Sequence, residues 1–226
     1  MMLMNPNTKE KLQQLISEKY NYSDLDLWCN KNFVLDAVAI DGNLLLFAND
    51  ELKDDKDVVL VAVKHNFYEC GYPYASDRQR YNKELTILAV DIFGMFLQHT
   101  SDRLRNDKET VLHAIKQYGN ALMFASDTLK DDEEVVSLAA CNFAYSLQYA
   151  SYRLRNNKSF MKKVVSYNGE AIDYATDNIK NDKDIFITAL KNDLVVLRNM
   201  PKKFSCDADV KNVAVQIDPS LETWFK

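Results

Sequence analysis

The stretch Asp107–Asp132, DKETVLHAIKQYGNALMFASDTLKDD, decides the fold. Shifted along the chain it recurs in copies beginning at Lys31, Lys56, Lys83, Lys108, Glu133, Lys158, Lys183 and Ala208, every step being 25 residues except one of 27. A fixed period of this length marks a repeat architecture, in which a single copy is too small to bury its apolar side and must lean on its neighbours.

With Lys108 taken as position 1 of the unit, the residue before the start is Asp55, Asn82, Asp107, Asp132, Asn157, Asp182 or Asp207 in seven successive copies. In six of the seven an acid follows two places later, as Asp57, Glu84, Glu109, Glu134, Asp184 and Asp209. A short side-chain acceptor ahead of an acidic first turn caps free N–H groups and complements the helix dipole, so each of these points begins a helix. That first helix is expected to run about ten residues, with apolar positions at 4, 7, 8 and 11, which are Val111, Ala114, Ile115 and Tyr118 in the template. Gly42, Gly94, Gly119 and Gly169, at position 12, are expected to end it with a positive φ.

A second helix is predicted from the apolar positions 14, 15, 18 and 22, which are Ala121, Leu122, Ala125 and Leu129. The small residue at position 18 recurs as Ala48, Ala75, Thr100, Ala125, Ala150 and Ala175, as close approach between copies would need. The expected fold is therefore all-α, an α-solenoid of tandem 25-residue two-helix repeats in about seven to eight copies. Residues 1–30 are expected to form an N-terminal helical cap, with an amphipathic helix over 8–20; residues 31–207 form the repeats, and 208–226 a truncated capping repeat. Pro201 should shorten the second helix of the copy before the last.

The composition, 47% apolar and 27% charged, is that of a soluble protein, and no apolar run nears the roughly 18 residues that span a bilayer. The opening MMLMNPNTKEKLQQL lacks the basic region and continuous apolar core of a secretory signal. Cys29, Cys70, Cys141 and Cys206 fall at unrelated repeat positions, which suits reduced thiols in a cytoplasmic protein. A net charge of −5 speaks against non-specific nucleic-acid binding.

No catalytic constellation emerges. His65, His99 and His113 lie on different faces of successive copies, so their spacing builds neither a metal cage nor a catalytic pair. Most acids sit at caps or at position 20 (Asp50, Asp77, Asp102, Asp127, Asp177), three residues before Lys53, Arg80, Arg105, Lys130 or Lys180, as structural pairs would. There is no phosphate-cradling glycine loop, nucleophile elbow or CxxC motif. An enzyme, a cofactor and a metal are therefore not expected.

Surfaces are more informative. Leu46, Met95, Met123, Tyr145 and Val195 fall at positions 13 or 16, the outer column of the second helix, and Tyr145, Tyr149 and Tyr152 form an i, i+4, i+7 aromatic line. Methionine and tyrosine on an outer face suit a protein partner, although superhelical curvature would bury them equally well. The copy from Lys56 carries two extra residues within HNFYECGYPYAS, which gathers Phe67, Tyr68, Tyr72, Pro73 and Tyr74. This stretch is either a tolerated loop or, over 66–76, a region for a small ligand or a substrate. Arg78 with Arg80, Arg103 with Arg105, and Arg153 with Arg155 repeat an R-x-R motif at positions 21 and 23. Such cations complement a helix C-terminus, or else form a ladder able to grip phosphates, which leaves nucleic-acid binding as a weaker alternative.

The pattern K-[DE]-x-V-L-x-A-V-x-x-x-G-x-A-L-x-[FY]-A-S-x-x-L-[KR]-x-D, carried by Lys108–Asp132 and again by Lys158–Asp182, resembles the repeat of the family catalogued as domain of unknown function 4116. The resemblance runs from Lys31 to about Asp207 and departs at the Lys56 insertion and at Leu194 and Pro201. It implies tandem domains of about fifty residues, each two of these units, in bacteria, viruses and some eukaryotes, and it brings no activity or site residues. The expected function is a non-enzymatic scaffold binding a protein or peptide partner, with Met95, Met123, Tyr145, Tyr152, Tyr68, Tyr72, Arg78, Arg103 and Arg153 as the candidate contacts. A bacterial or viral interaction factor or neutraliser, cytoplasmic or delivered into a host cell, fits the family's distribution.

Overall fold

A computed structural model describes Gln14 and residues 26–64 and 70–225. Among these residues every regular element is helical and none is a strand. The chain divides into two compact units, Met1–Arg105 and Asn106–Lys226. Within the second unit the long helices of neighbouring repeats pack side by side in chain order: Lys108–Gln117 on Glu133–Asn142, then Lys158–Tyr167, Lys183–Asn192 and Ala208–Ile217. This is the α-solenoid packing that the period implies. No described helix is long and apolar enough to cross a membrane.

The cap column explains where each repeat begins. Asp107 Oδ1 accepts a hydrogen bond from Thr110 N at 2.9 Å. Asp55, Asn82, Asp132, Asn157, Asp182 and Asp207 act likewise at their own helices, and Asn30 extends the column one copy earlier than expected.

The expected second helix is realised in two pieces. A six-residue 3-10 helix, Gly119–Phe124, is followed by a four-residue α-helix, Asp127–Lys130. Between them Ala125 is extended, with φ −64° and ψ 157°, and the Ser126 hydroxyl caps the restart by accepting from Leu129 N at 3.3 Å. Asn49, Ser76, Ser101 and Ser151 cap the equivalent short helices. A polar capping side chain captures the free N–H groups of a new first turn, so the chain breaks here and not elsewhere. The small residue at position 18 is buried, as close approach between copies requires, but it sits on this extended link.

The glycine expectation needs correcting. Gly119 opens the 3-10 helix, and the residue before it, Tyr118, is extended at φ −151° and ψ 105°. A Cβ on Gly119 would lie 2.7 Å from Ala139 O and 3.1 Å from Phe143 Cβ in the next repeat, and one on Gly169 would lie 2.7 Å from Ala189 O. Proximity between repeats, not a positive φ, demands glycine here. Position 11 is corrected too: Tyr118 faces solvent, while position 3 (Thr110, Val135, Phe160 and Ile185) is buried beside positions 4, 7 and 8. The rest of the core is as expected, with Ala121, Leu122 and Leu129 all buried.

Polar ladders fix the register between copies. Lys31 pairs with Asp55 at 2.6 Å, Lys108 with Asp132 at 2.8 Å, Lys158 with Asp182 at 2.7 Å and Lys183 with Asp207 at 3.2 Å, each lysine reaching the cap of the following repeat. Burial works to raise the pKa of Asp132, but its bonds from Lys108 and the Val135 and Glu134 N–H groups outweigh that and hold it below the usual carboxylate range. A second ladder joins the position-19 hydroxyl to the end of the preceding short helix, as in Ser126 to Asn106 and Thr176 to Asn156.

The irregular regions separate into described and undescribed parts. The expected helix over 8–20, with Leu12, Leu15 and Ile16, lies outside the described residues apart from Gln14. Around Pro201 the short α-helix is replaced by a 3-10 turn, Lys202–Phe204, as the proline suggests. The last copy is a helix, Ala208–Ile217, and a 3-10 segment, Pro219–Thr223.

Candidate functional site

In the second unit the 3-10 helices Gly119–Phe124, Ala144–Tyr149, Gly169–Tyr174 and Leu194–Asn199 line up as one layer. With three residues per turn, positions 13 and 16 of each share a face. Positions 14 and 15 point into the core, as Ala121, Leu122, Ser146, Leu147, Ala171 and Ile172 do. That leaves 13 and 16 outward, beside the solvent-facing residue at position 11.

On this layer five rings from three successive repeats touch in series. Tyr118 stacks on Phe143 with centroids 6.3 Å apart and planes 26° from parallel. Phe143 meets Tyr145 at 5.9 Å. Tyr145 in turn meets Tyr149 at 6.2 Å and Tyr174 at 5.6 Å, both edge to face at 82°. Phe143 is 44% exposed, Tyr145 41%, Tyr118 38% and Met123, on the neighbouring column, 37%. A contiguous exposed apolar patch on a folded surface marks an interaction site more often than chance.

The repeat columns that carry the rings are acidic. Positions 11, 13, 16 and 17 of the fourth to sixth repeats hold Glu170 and Asp173 and no base. Burial, followed by the carboxylates of Asp173 and Glu170, pushes the Tyr174 phenol above its ordinary value. Asp173 Oδ2 accepts from Asn199 Nδ2 at 2.8 Å. Asp173 also lines, with Ile172, Lys180, Phe186, Asn199 and Pro201, a cleft of about 270 Å³ where the proline interrupts the repeat. Two amides of the same layer, at Asn120 Oδ1 and Gln148 Nε2, are shielded from solvent without a hydrogen-bond partner.

The profile described as Domain of unknown function (DUF4116) matches residues 30–80, 82–130, 132–176 and 157–205. The chain belongs to this family. The first two matches each span a pair of the 25-residue repeats, so the DUF4116 unit is two copies of the helical motif. Neither curated proteins nor solved structures give a match.

The DUF4116 fold places the candidate contacts unevenly. Tyr145 is the hub of the ring cluster, and Met123 is exposed on the 3-10 helix of the preceding repeat. Tyr152 is well exposed but opens the next short helix, Tyr152–Arg155, beyond the Ala150–Ser151 link, so the expected i, i+7 line is broken. Met95 is half-buried, in the first unit. Tyr68, with His65 and Phe67, lies outside the described residues.

Tyr72 is a correction. It is fully buried and occupies the position-15 slot taken elsewhere by Leu45, Leu97 and Leu122. Its hydroxyl donates to Arg80 O at 2.8 Å and lies 2.9 Å from Thr86 Oγ1. The two extra residues are absorbed upstream, so Tyr72-Pro73-Tyr74-Ala75-Ser76 re-enters the register of Leu122-Met123-Phe124-Ala125-Ser126. The neighbouring Cys70 thiol is buried and pushed up to about 11, which removes it as a nucleophile near neutral pH.

Of the two readings of the R-x-R motif, the structure shows the one in which the cations serve helix C-termini. Arg78 Nε donates to Asp54 Oδ1 at 2.8 Å and its Nη2 to Asp54 O at 2.9 Å. Arg153 binds Asp131 in the same way, at 2.9 Å and 2.8 Å, and Arg103 Nη2 donates to Tyr81 O at 3.2 Å. Each reaches back to the C-terminal turn of the preceding short helix, where carbonyls are unpaired and the dipole is negative. Arg80 and Arg105 pair with Asp77 and Asp102 within their own helices. These guanidinium groups hold repeats together and are not a row of free cations.

Among the described residues no group of three or more His, Cys, Asp or Glu side chains could hold a metal. His99 is half-buried beside Phe96, and burial, then the charge of Arg80, lowers its pKa. Tyr118, Phe143 and Tyr174 are the site residues that sequence reasoning missed; the aromatic run Phe93, Tyr118, Phe143 at position 11 was the available signal.

Proposed function

We propose that this DUF4116 chain is a binding scaffold without chemistry of its own, which takes a protein partner on the aromatic surface centred on Tyr145. The observation that carries this reading is the unbroken contact of five partly exposed rings across three repeats. Elsewhere in the repeat, recurrent polar columns are used internally, lysines on caps and arginines on helix ends. Aromatic side chains and methionine give large contact area at low entropic cost, which is why interfaces favour them. Four free cysteines suit work in a reducing cytoplasm.

Affinity capture by the tagged full chain, with proteins identified by mass spectrometry, tests this against the Met123→Asp/Tyr145→Asp double variant. A partner should be held by the parent chain and released by the variant, while circular dichroism shows both folded. Equal capture by the two would remove the Tyr145 surface from function.

A further inference from the structure

We infer that the occupant of the Tyr145 surface is a cationic, arginine-bearing segment of the partner protein; this rests on the scaffold reading above and names the chemistry of its ligand. Ring faces carry negative potential and attract guanidinium groups, most strongly where water is partly excluded. Tyr145 meets both Tyr149 and Tyr174 edge to face at 82°, so partly exposed ring faces of different orientation stand together, and a planar guanidinium lying on one of them keeps its N–H edge free to donate.

Acceptors for that edge stand alongside. Glu170 is exposed, and Asp173 Oδ2 takes one bond from Asn199. Both carboxylates are close enough to bear on the Tyr174 phenol. In the columns that carry the rings, no base is present from the fourth to the sixth repeat. Of the bases near the rings in sequence, Lys116 precedes Tyr118 by two residues, Arg153 is held by Asp131, and Lys180 shares the Pro201 cleft with Asp173. An acidic or neutral segment would meet this charge pattern with repulsion or with indifference. The rings, and the side of the rim that carries Glu170 and Asp173, are thus complementary to positive charge.

The test is an anisotropy titration of the full chain with a short fluorescein-labelled peptide of alternating arginine and glycine. Counterparts carry citrulline or glutamate in place of arginine. The arginine peptide should bind about tenfold tighter than the citrulline peptide, and the glutamate peptide should not bind. Tyr145→Leu/Tyr174→Leu, which keeps apolar volume and removes the rings, should weaken the arginine peptide about tenfold. Glu170→Gln/Asp173→Asn should weaken it severalfold, whereas neutralising two remote acids by Asp127→Asn/Glu133→Gln should change it less than about twofold. Should the leucine pair unfold, the Glu170/Asp173 pair against its remote control decides. Equal binding of arginine and citrulline peptides, or equal losses from near and remote acids, would overturn the inference. If a partner is nonetheless captured through Tyr145, the scaffold reading survives that result; if capture ignores Tyr145, the scaffold reading fails.

Discussion

Tyr72→Ala is expected to lower the unfolding free energy by about 3–5 kcal/mol, and Tyr72→Phe by only about 1 kcal/mol. The ring is fully buried in the first unit, with Phe96 at 6.1 Å, and its removal leaves a cavity that a short 3-10 turn cannot collapse to fill. The hydroxyl is a different matter. Its acceptor, Arg80 O, also receives the Thr86 and Thr100 hydroxyls at 3.1 Å and 3.0 Å, so phenylalanine leaves no orphaned carbonyl. Urea unfolding of the two variants separates ring from hydroxyl. An alanine loss below about 1 kcal/mol would return Tyr72 to the surface, where a loop reading of the insertion puts it.

Leu122→Ala should cost about 2–5 kcal/mol while Met123→Ala, one residue on, stays within about 0.5 kcal/mol. Leu122 is wholly buried between repeats, and Met123 stands on the outward column of the same 3-10 helix. The 3-10 geometry alone turns adjacent residues to opposite fates. Equal losses would mean that the layer has no free face.

The helix starts were legible because capping is local chemistry: an Asx oxygen and its N3 amide are three residues apart wherever they occur. The break in the second half of each repeat was not, since apolar residues at 14, 15 and 18 fit an α-helix as well as a 3-10 helix with an extended link. Ser126 and its equivalents at position 19 were the overlooked sign. Gly119 shows a similar ambiguity, because a pattern of glycines cannot distinguish a positive φ from the close approach of Ala139 O. Tyr72 was misplaced by its aromatic company, although the recurring Ala-Ser pair at 75–76 restores its register. Tyr145 and Met123 were legible as members of the outer column, though not whether curvature buries it, and the cluster was not legible, because Tyr118 and Tyr174 join it through contacts between repeats.

Whether the ring cluster is the partner's seat is tested most directly by tyrosine nitration with peptide mass mapping, on the chain free and bound to its captured partner. Tyr118 and Tyr145 should nitrate readily in the free chain and be protected several-fold in the complex. Tyr152 and Tyr167, 67% and 65% exposed but outside the cluster, should react alike in both states, and buried Tyr72 in neither. Unchanged reactivity of Tyr145 on binding, with protection at Tyr152 or Tyr167 instead, would place the partner elsewhere and contradict the assignment.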